Sequence, residues 1–260
     1  MSLLNTITNE KKDKPPIIVL YGLEGIGKTT IGAVSNKPIF VLTEDGKGSL
    51  DFPHFPLCEK MSDAFMQLEA LCKEDHEYKT LCLDSVDWLE RLIWNEVAKI
   101  AGKRTIEEIG YGAGYKMALQ YWNDYLQYLT YLRDVKGMTI LQTAHSSIKK
   151  FKDPESDTYD VYNLKLHEMA ASLIKEHADC VFFMKYQTFA IKTDTGFNQK
   201  RTRATGGDSR VLYAQNHASA QAKNRYGIPS EIEANDPNDF WKMMEYYVPA
   251  LKTETTTKGE

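Results

Sequence analysis

Residues 21–30 constrain the fold of this chain more than any other segment. They read YGLEGIGKTT, and their first residue, Tyr21, is the last residue of the apolar run IIVLY at 17–21. A continuous apolar run of this length is typical of a strand buried on both faces. From Gly22 to Thr29 the residues match G-x-x-x-x-G-K-[ST], a glycine-rich loop that joins a strand to a helix and cradles phosphate. The motif in this setting predicts an α/β core built around a phosphate site.

The chemistry of the loop assigns roles to its residues. The glycines allow backbone N–H groups to turn inward, and the helix that follows adds the positive end of its dipole. Lys28 is expected to contact the β- and γ-phosphates of ATP, and Thr29 to bind Mg²⁺. Asp84 lies near the end of the predicted buried strand in TLCLDS and is the predicted second metal-holding group. The predicted nucleotide-binding set is Gly22, Leu23, Glu24, Gly25, Ile26, Gly27, Lys28, Thr29, Thr30 and Asp84.

The rest of the chain alternates between strand and helix patterns. Strands are predicted at 17–21, 38–45, 79–85, 137–145, 179–186, 188–193 and 211–215. Helices are predicted at 27–34, at 62–74 with Ser62 as N-cap, and at 86–100, 115–135, 165–177 and 236–252. Residues 102–114 and 146–163 have loop composition, and Asp-Thr-Gly at 194–196 predicts a hairpin turn. Alternating strands and helices followed by late hairpins predict a mostly parallel sheet flanked by helices, with C-terminal antiparallel strands.

Four segments follow from this pattern. Residues 1–16 are polar, end in Pro-Pro and are predicted to be a flexible tail. Residues 17–235 form the predicted core domain, 236–252 a C-terminal helix, and 253–260 a polar tail. A chain of 260 residues fits one such domain with extensions.

Composition narrows the class of protein. Hydrophobic residues make up 42% and charged residues 26%, as in ordinary soluble proteins. The net charge of −4 excludes a uniformly basic surface but leaves room for a local basic loop. No stretch approaches the length of a membrane span and no signal-peptide pattern opens the chain, so we expect a cytoplasmic protein without membrane partners.

The four cysteines contain no C-x-x-C pair, and reduced thiols are expected in that compartment. His54, Cys58, Cys72 and His76 could together form a zinc site. However, Cys72 lies on the apolar face of a predicted helix, and the spacing differs from common zinc motifs. Cys72 is therefore interpreted as a side chain of the hydrophobic core and not as a zinc ligand.

Beyond the phosphate loop, the ends of two predicted strands resemble those of RecA-like ATPases. Ser85 follows Asp84 where many P-loop ATPases carry a catalytic glutamate. RecA-like proteins instead place this glutamate after the strand that follows the P-loop helix, and Glu44 in VLTEDG resembles it, with Asp45 as the alternative. The predicted strand within TILQTAHSS ends at His145, which is similar to the γ-phosphate sensor of the RadA subgroup. Gln142, inside the same strand, is the weaker candidate for this sensor.

The segment AKNRYGIP resembles the Lys-Asn-Arg-Phe-Gly motif of RadA and the Lys-x-Arg of DnaB-type helicases. In those families the two cations reach the ATP of a neighbouring subunit. The resemblance implies that Lys223 and Arg225 act in trans and that the protein forms a homo-oligomer, a ring or a filament.

Two further segments are similar in position to the DNA-binding loops of RecA. EEIGYGAGYKMALQYW precedes and enters a helix, and SSIKKFKDPESDTYDVYN follows the sensor strand. Cations interleaved with aromatic residues suit single-stranded DNA, through phosphate attraction and base stacking. The acidic end of the second segment would repel phosphate. The implied DNA-binding residues are Lys103, Arg104, Tyr111, Tyr115, Lys116, Lys149, Lys150 and Lys152.

In order and spacing this set resembles the phage RecA-like ATPases of single-strand annealing, the Sak "four" group. The resemblance implies a DNA-stimulated ATPase that uses ATP and Mg²⁺ in recombination or annealing. Its implied partners are single-stranded DNA and a single-strand-binding protein. A hexameric helicase or loader motor, and a binding protein that uses ATP only as a switch, stay open as alternatives. A small-molecule kinase would need an arginine-rich lid, and the sequence shows none.

Overall fold

The computed structural model describes residues 4, 7, 13–152, 157–194 and 200–252, with the side chains of 188–206 outside this description. The strands are β1 (Ile17–Gly22), β2 (Pro38–Leu42), β3 (Thr80–Asp84), β4 (Thr139–Phe151), β5 (Tyr159–Leu164), β6 (Cys180–Asp194), β7 (Lys200–Tyr213), β8 (Lys223–Asn224) and β9 (Glu231–Glu233). The helices are α1 (Lys28–Ala33), α2 (Met61–Lys73), α3 (Val86–Ile100), α4 (Ala113–Asp134), α5 (Glu168–His177) and α6 (Pro237–Tyr247). Short 3-10 helices lie at Ile106–Glu108 and Pro249–Leu251.

The described strands form one sheet in the order β2-β3-β4-β1-β6-β7-β9. The first five of these are parallel, whereas β7 and β9 are antiparallel to their neighbours. β1 is central and buried along its whole length, as its continuous apolar sequence requires. The fold class expected from the sequence is confirmed: a mostly parallel α/β sheet with C-terminal antiparallel strands.

Helices cover both faces of the sheet. The larger core packs the apolar sides of α2, α3, α4 and α5 against one face. The smaller core packs α1 and α6 against the other, with Phe182 of β6 in edge-to-face contact with Phe240 of α6 at 5.7 Å between ring centroids. The carboxyl ends of β1, β2, β3 and the parallel part of β4 therefore meet at one exposed edge of the sheet, where ligands of parallel α/β sheets bind.

Residues 146–163 do not form the predicted loop. β4 continues past the sheet edge to Phe151 and returns as β5, in antiparallel register from Ser146 opposite Leu164 to Phe151 opposite Tyr159. Among the described residues of the hairpin, Val161 and Leu164 are buried and the others are partly or fully exposed, so the mostly polar sequence hid the strands. Residues 153–156 lie outside the described part of the chain.

Several element boundaries also differ from the predictions. Ser62 is not the N-cap of α2: the helix begins at Met61, and the Asp63 carboxylate accepts the N–H groups of Glu59 and Lys60 at 3.0 Å each. α4 begins two residues before the predicted start, and α6 ends at Tyr247, ahead of Pro249. Most of the predicted tail 1–16, the predicted turn at 195–196 and all of 253–260 lie outside the described residues.

Two kinds of feature are absent from the described residues, membrane-spanning helices and clusters of metal ligands. None of their helices is long and apolar enough to cross a membrane. They contain no group of three His, Cys, Asp or Glu side chains placed to hold a metal ion. Cys58 and Cys72 instead pack with the larger core, and the ring of His76 contacts the Leu71 carbonyl at 3.1 Å.

Candidate active site

The phosphate-loop motif connects β1 to α1 at the ligand-binding edge of the sheet. Gly22 has no room for a side chain, because a Cβ there would lie 2.2 Å from the Met184 carbonyl oxygen. Gly27 has a φ of 105°, in the left-handed region that favours glycine. Both glycines are thus required by the path of the loop, as the motif predicts.

Lys28 is the first residue of α1 and is only 6% exposed. Its ammonium group donates hydrogen bonds to the carbonyls of Gly22 and Leu23, at 3.3 Å and 2.9 Å. Burial lowers the pKa of Lys28, although the carboxylates of Asp84, Asp87 and Glu44 oppose this shift. A cation held inside the loop among carboxylates is placed to bind a phosphate group together with a metal ion.

The two predicted metal-holding residues are in direct contact. Thr29 donates its hydroxyl hydrogen bond to Asp84 Oδ2 at 2.6 Å. Thr143 of β4 holds the other oxygen of the same carboxylate. Asp84 is 3% exposed, so neighbouring strands fix its position. Hydroxyl and carboxylate oxygens are the hard donors that Mg²⁺ prefers, and these two residues fit that ion.

Glu44 follows β2 and lies at the same edge. Its carboxylate is 4.0 Å from His145 Nδ1, and burial raises the pKa of Glu44 above its ordinary value. Asp45 is exposed instead. Thr43 ties the ends of β2 and β3 together, donating to the Ser85 carbonyl at 2.6 Å and accepting the Ser85 N–H at 2.9 Å. The geometry favours Glu44 over Asp45 as the group that faces the phosphate loop.

His145 is held by a residue that the sequence analysis missed. Asp87, in the first turn of α3, accepts the backbone N–H of His145 and contacts its Nδ1, both at 2.9 Å. This hydrogen bond raises the pKa of His145, although burial opposes the shift. Burial alone would raise the pKa of Asp87, but the hydrogen bonds from His145 hold it below its ordinary value. With Nδ1 engaged, Nε2 is the ring nitrogen that can meet a ligand.

Gln142, the weaker sensor candidate, faces the core. It is fully buried, and its Oε1 accepts a hydrogen bond from Tyr125 at 2.9 Å. Asp87 could have been noticed in the sequence, because it stands with Glu90 near the apolar side of a helix that otherwise buries aliphatic residues. A carboxylate in that position needs a partner.

A second buried carboxylate connects the site to the β4–β5 hairpin. Glu90 accepts the backbone N–H of His167, at 3.1 and 3.0 Å to its two oxygens, and burial raises its pKa to about 7. The His167 ring stacks on Tyr115 with 4.1 Å between centroids. Lys149 of the hairpin donates to the Leu166 carbonyl at 2.8 Å. Residues of both predicted DNA-binding segments, Tyr115 and Lys149, therefore contact the connection that follows the hairpin.

The predicted DNA-binding residues divide into two groups. Tyr115 and Lys149 are half-buried and make the contacts just described. The other six side chains are exposed: Lys103, Arg104, Tyr111, Lys116, Lys150 and Lys152. Arg104 pairs with Glu108 inside its own loop, at 3.4 Å.

Lys223 and Arg225 do not reach the phosphate loop of their own chain. Lys223 pairs with Val181 near the start of β6, at the sheet edge opposite to the loop. Its ammonium donates to the carbonyls of Lys175, Glu176 and Ala178 at the end of α5. Arg225 contacts Asp179 at 2.9 Å, and its side chain is 55% exposed. Any contact of these cations with nucleotide must involve another subunit.

Comparison with known proteins places the chain in a family. Residues 14–226 match the AAA domain, a span that includes the phosphate loop, Asp84, Glu44, His145 and Lys223. The chain belongs to the AAA domain family. Its phosphate loop, with the Thr29–Asp84 contact beside it, is that of a nucleotide-binding P-loop NTPase domain.

One solved structure that matches this chain is the crystal structure of the RadB recombinase. The similarity has a TM-score of 0.45 and 13% sequence identity, over 89% of this AAA-domain chain and 90% of that chain. Among curated proteins, no sequence matches this chain.

Proposed function

We propose that this AAA-domain protein is a RecA-like ATPase that acts on single-stranded DNA in phage recombination or annealing. The observation that carries the proposal is the arrangement around Lys28. Its ammonium group interacts electrostatically with Asp84, which accepts a hydrogen bond from Thr29, and with Glu44 and the His145–Asp87 pair. A phosphate ligand, metal-holding oxygens, a candidate base and a candidate sensor thus converge at one edge of the sheet.

In this proposal the residues of the chain divide the work of ATP hydrolysis. Lys28 binds the terminal phosphates, and Thr29 with Asp84 holds Mg²⁺, which would neutralise phosphate charge when bound. Glu44 orients the attacking water and accepts its proton, a task suited to a carboxylate with a raised pKa. His145, oriented by Asp87, contacts the γ-phosphate through Nε2 and transmits its presence to the hairpin that begins directly after it.

The proposed DNA surface consists of the exposed cations and Tyr111 on the α3–α4 connection and the β4–β5 hairpin. The hairpin starts at the nucleotide edge of the sheet, so a change at His145 has a short path to it. Exposed lysines attract the phosphates of the strand, and aromatic side chains provide stacking surfaces. The resemblance to RecA-like proteins supports single-stranded rather than duplex DNA.

Lys223 and Arg225 are proposed to complete the active site of a neighbouring subunit in a homo-oligomer. Their position at the far edge of the sheet supports action in trans, since they cannot reach their own nucleotide. In such an assembly the two cations would stabilise charge that develops on the transferred phosphoryl group. A cytoplasmic location and a single-strand-binding protein as partner belong to the same proposal.

The proposal is tested by measuring ATP turnover of the purified protein with and without single-stranded DNA, alongside particle images of the assembly. We expect Mg²⁺-dependent turnover that DNA stimulates, and complementary strands that anneal faster in the presence of ATP. Efficient unwinding of a duplex would favour a helicase or loader motor. Tight ATP binding with no turnover under any DNA condition would favour a nucleotide-controlled binding protein.

A further inference from the structure

β6 and β7 continue beyond the nucleotide edge of the sheet as a long antiparallel ribbon. The last pairing of β6 with β1 is Met184 opposite Gly22, and β6 then pairs with β7 alone as far as Asp194. The register shifts between Tyr186 and Thr188, just past the sheet edge. Such irregularities bend a strand and re-aim its side chains, and they are frequent beside functional sites.

Arg210 is the β7 residue opposite Tyr186, immediately before this shift. Its guanidinium lies against the phosphate loop. A Cβ built on Gly27 would be 3.3 Å from Arg210 Nη1 and 3.6 Å from Cζ. The guanidinium therefore lies beside the face of Gly27 on which a side chain would project, directly before Lys28.

Both the backbone N–H and the backbone carbonyl of Arg210 are hydrogen-bonded. Its N–H donates to Asn235 Oδ1 at 2.6 Å, and its carbonyl accepts the Ala234 N–H at 2.9 Å. Asn235 also donates to the Ser209 hydroxyl at 3.2 Å. The segment after β9 thus fixes the backbone from which the Arg210 side chain extends toward the phosphate loop.

Arg210 differs from the three arginines that form ion pairs in the described part of the chain, Arg104, Arg133 and Arg225. Arg133 and Arg225 both pair with Asp179. Among the side chains that the structure describes, no carboxylate pairs with Arg210. A half-buried guanidinium beside an anion-binding loop, without a carboxylate of its own, is suited to a ligand that brings negative charge.

We propose that Arg210 is a nucleotide ligand supplied by the same subunit, contacting the α- and β-phosphates. The proposal rests on the nucleotide-binding function proposed above. The backbone around Gly27 cradles the α- and β-phosphates in this motif, whereas Lys28 extends to the β- and γ-phosphates. The planar guanidinium can bind two phosphate oxygens at once. Arg210 is separate from Lys223 and Arg225, which lie at the opposite edge.

Because ADP and ATP share these two phosphates, Arg210 should support the binding of both by the same factor. Loss of a charge-assisted hydrogen-bonded pair corresponds to roughly a 10- to 100-fold loss of affinity. Turnover at saturating ATP should change much less than KM, since the contact is made equally before and during the reaction. Arg210→Lys should lose less affinity, because it keeps the charge but not the fork.

The experiment measures equilibrium binding of ADP and of a non-hydrolysable ATP analogue to the full chain, for the parent, Arg210→Ala and Arg210→Lys. Arg91→Ala is the matched control, since Arg91 is exposed on α3 and stacks on Trp88 with 4.1 Å from Cζ to the ring centroid. We expect both nucleotides to weaken about equally in Arg210→Ala, with partial recovery in Arg210→Lys and no change in Arg91→Ala.

Several outcomes would overturn the inference. Parent-like affinity for ADP in Arg210→Ala would remove Arg210 from the site. A loss of affinity for the ATP analogue alone, with ADP affinity unchanged, would place Arg210 on the γ-phosphate instead. A fall in kcat with unchanged KM would lead to the same conclusion. Thermal unfolding without nucleotide detects a structural defect in Arg210→Ala, and Arg210→Lys then decides the question. If the parent itself binds neither nucleotide, the proposed function fails; if the parent binds and the variants match it, only the role of Arg210 fails.

Discussion

Thr29 Oγ1 lies 2.6 Å from Asp84 Oδ2, so two residues that are 55 positions apart in the chain meet at the mouth of the phosphate loop. β1 and β3 are separated in the sheet by β4, and Thr143 of β4 holds the second Asp84 oxygen from between them. The carboxylate is therefore positioned by its neighbours before any ligand arrives. Such preorganisation is what a metal-holding residue requires.

We predict that Asp84→Asn weakens the binding of ATP in the presence of Mg²⁺ but not in the presence of a chelator. The amide keeps the size of the side chain and removes the charge that holds the cation. Losses of 10- to 100-fold are typical when the support of a metal is disturbed. Titration of labelled ATP with Mg²⁺ or EDTA measures the effect, with exposed Asp75→Asn as the control. An Asp84→Asn protein with unchanged Mg²⁺ dependence would contradict the metal assignment.

We predict that Glu44→Gln binds ATP but loses turnover by about 10²–10⁴-fold, the usual contribution of a general base. The substitution preserves size and removes the carboxylate that lies near His145. Steady-state hydrolysis and nucleotide binding are measured on the same preparation. Asp45→Asn is the matched comparison, because Asp45 is adjacent but exposed. If Asp45→Asn alone abolished turnover, the base would have been assigned to the wrong carboxylate.

The stability contributed by His145 and Asp87 should depend on pH within a defined window. The pKa of His145 is raised in the folded state, so its contribution is complete below the unfolded value of about 6.5 and is lost as pH rises through the folded value. The pKa of Asp87 is lowered, so its contribution is present above about 3.9 and is lost as pH falls through the folded value. The pair should therefore stabilise most between about pH 4 and pH 6.5.

This expectation is measured by thermal unfolding of the parent and His145→Asn from about pH 4 to about pH 9. A charge-assisted hydrogen bond contributes about 1.5–3 kcal/mol, and the difference between the two proteins should shrink above neutral pH. His54→Asn serves as the control, because His54 is exposed and outside the site. A difference that stays constant from pH 5 to pH 9 would show that the histidine acts without its charge.

The sequence predicted the parts of this site that have local signatures. The apolar runs before Gly22 and Asp84 identified buried strands, and the phosphate loop carries its own spacing. Asp87 was missed because its role depends on where His145 of β4 lies relative to α3, which no local pattern encodes. Arg210 was missed for the same reason, since its contact with Gly27 exists only after β7 joins the sheet. The β4–β5 hairpin was missed because Val161 and Leu164 are its buried residues in the described part beyond residue 145, which leaves no apolar periodicity in the sequence.

We predict that Lys150→Ala combined with Lys152→Ala weakens single-stranded DNA binding in a salt-dependent way. Both lysines are exposed at the end of β4, whereas Lys149 is tied to the Leu166 carbonyl. Each lost phosphate contact should reduce the slope of log affinity against log salt by roughly one. Lys73→Ala with Lys242→Ala is the control, since these lysines are exposed on α2 and α6. Identical slopes for the two double variants would exclude the hairpin from the DNA surface.

The last prediction concerns assembly. Lys223 and Arg225 lie at the edge of the sheet opposite to the phosphate loop, so one subunit alone cannot bring them to its nucleotide. We predict that Arg225→Ala binds ATP but loses turnover, by up to about 10³–10⁵-fold for an arginine supplied in trans. Lys28→Ala should fail for the opposite reason, because it keeps Arg225 and lacks the lysine of the phosphate loop.

Mixing these two inactive variants should restore part of the turnover, since one subunit provides an intact phosphate loop and its neighbour provides an intact Arg225. Parent turnover per subunit should also rise with protein concentration as subunits associate. Because Arg225 pairs with Asp179 in its own chain, Asp179→Asn is tested in parallel by thermal unfolding to measure the structural part of the effect. A fully active Arg225→Ala, or turnover by a monomer that is independent of concentration, would show that these cations have only the local role seen at the end of α5.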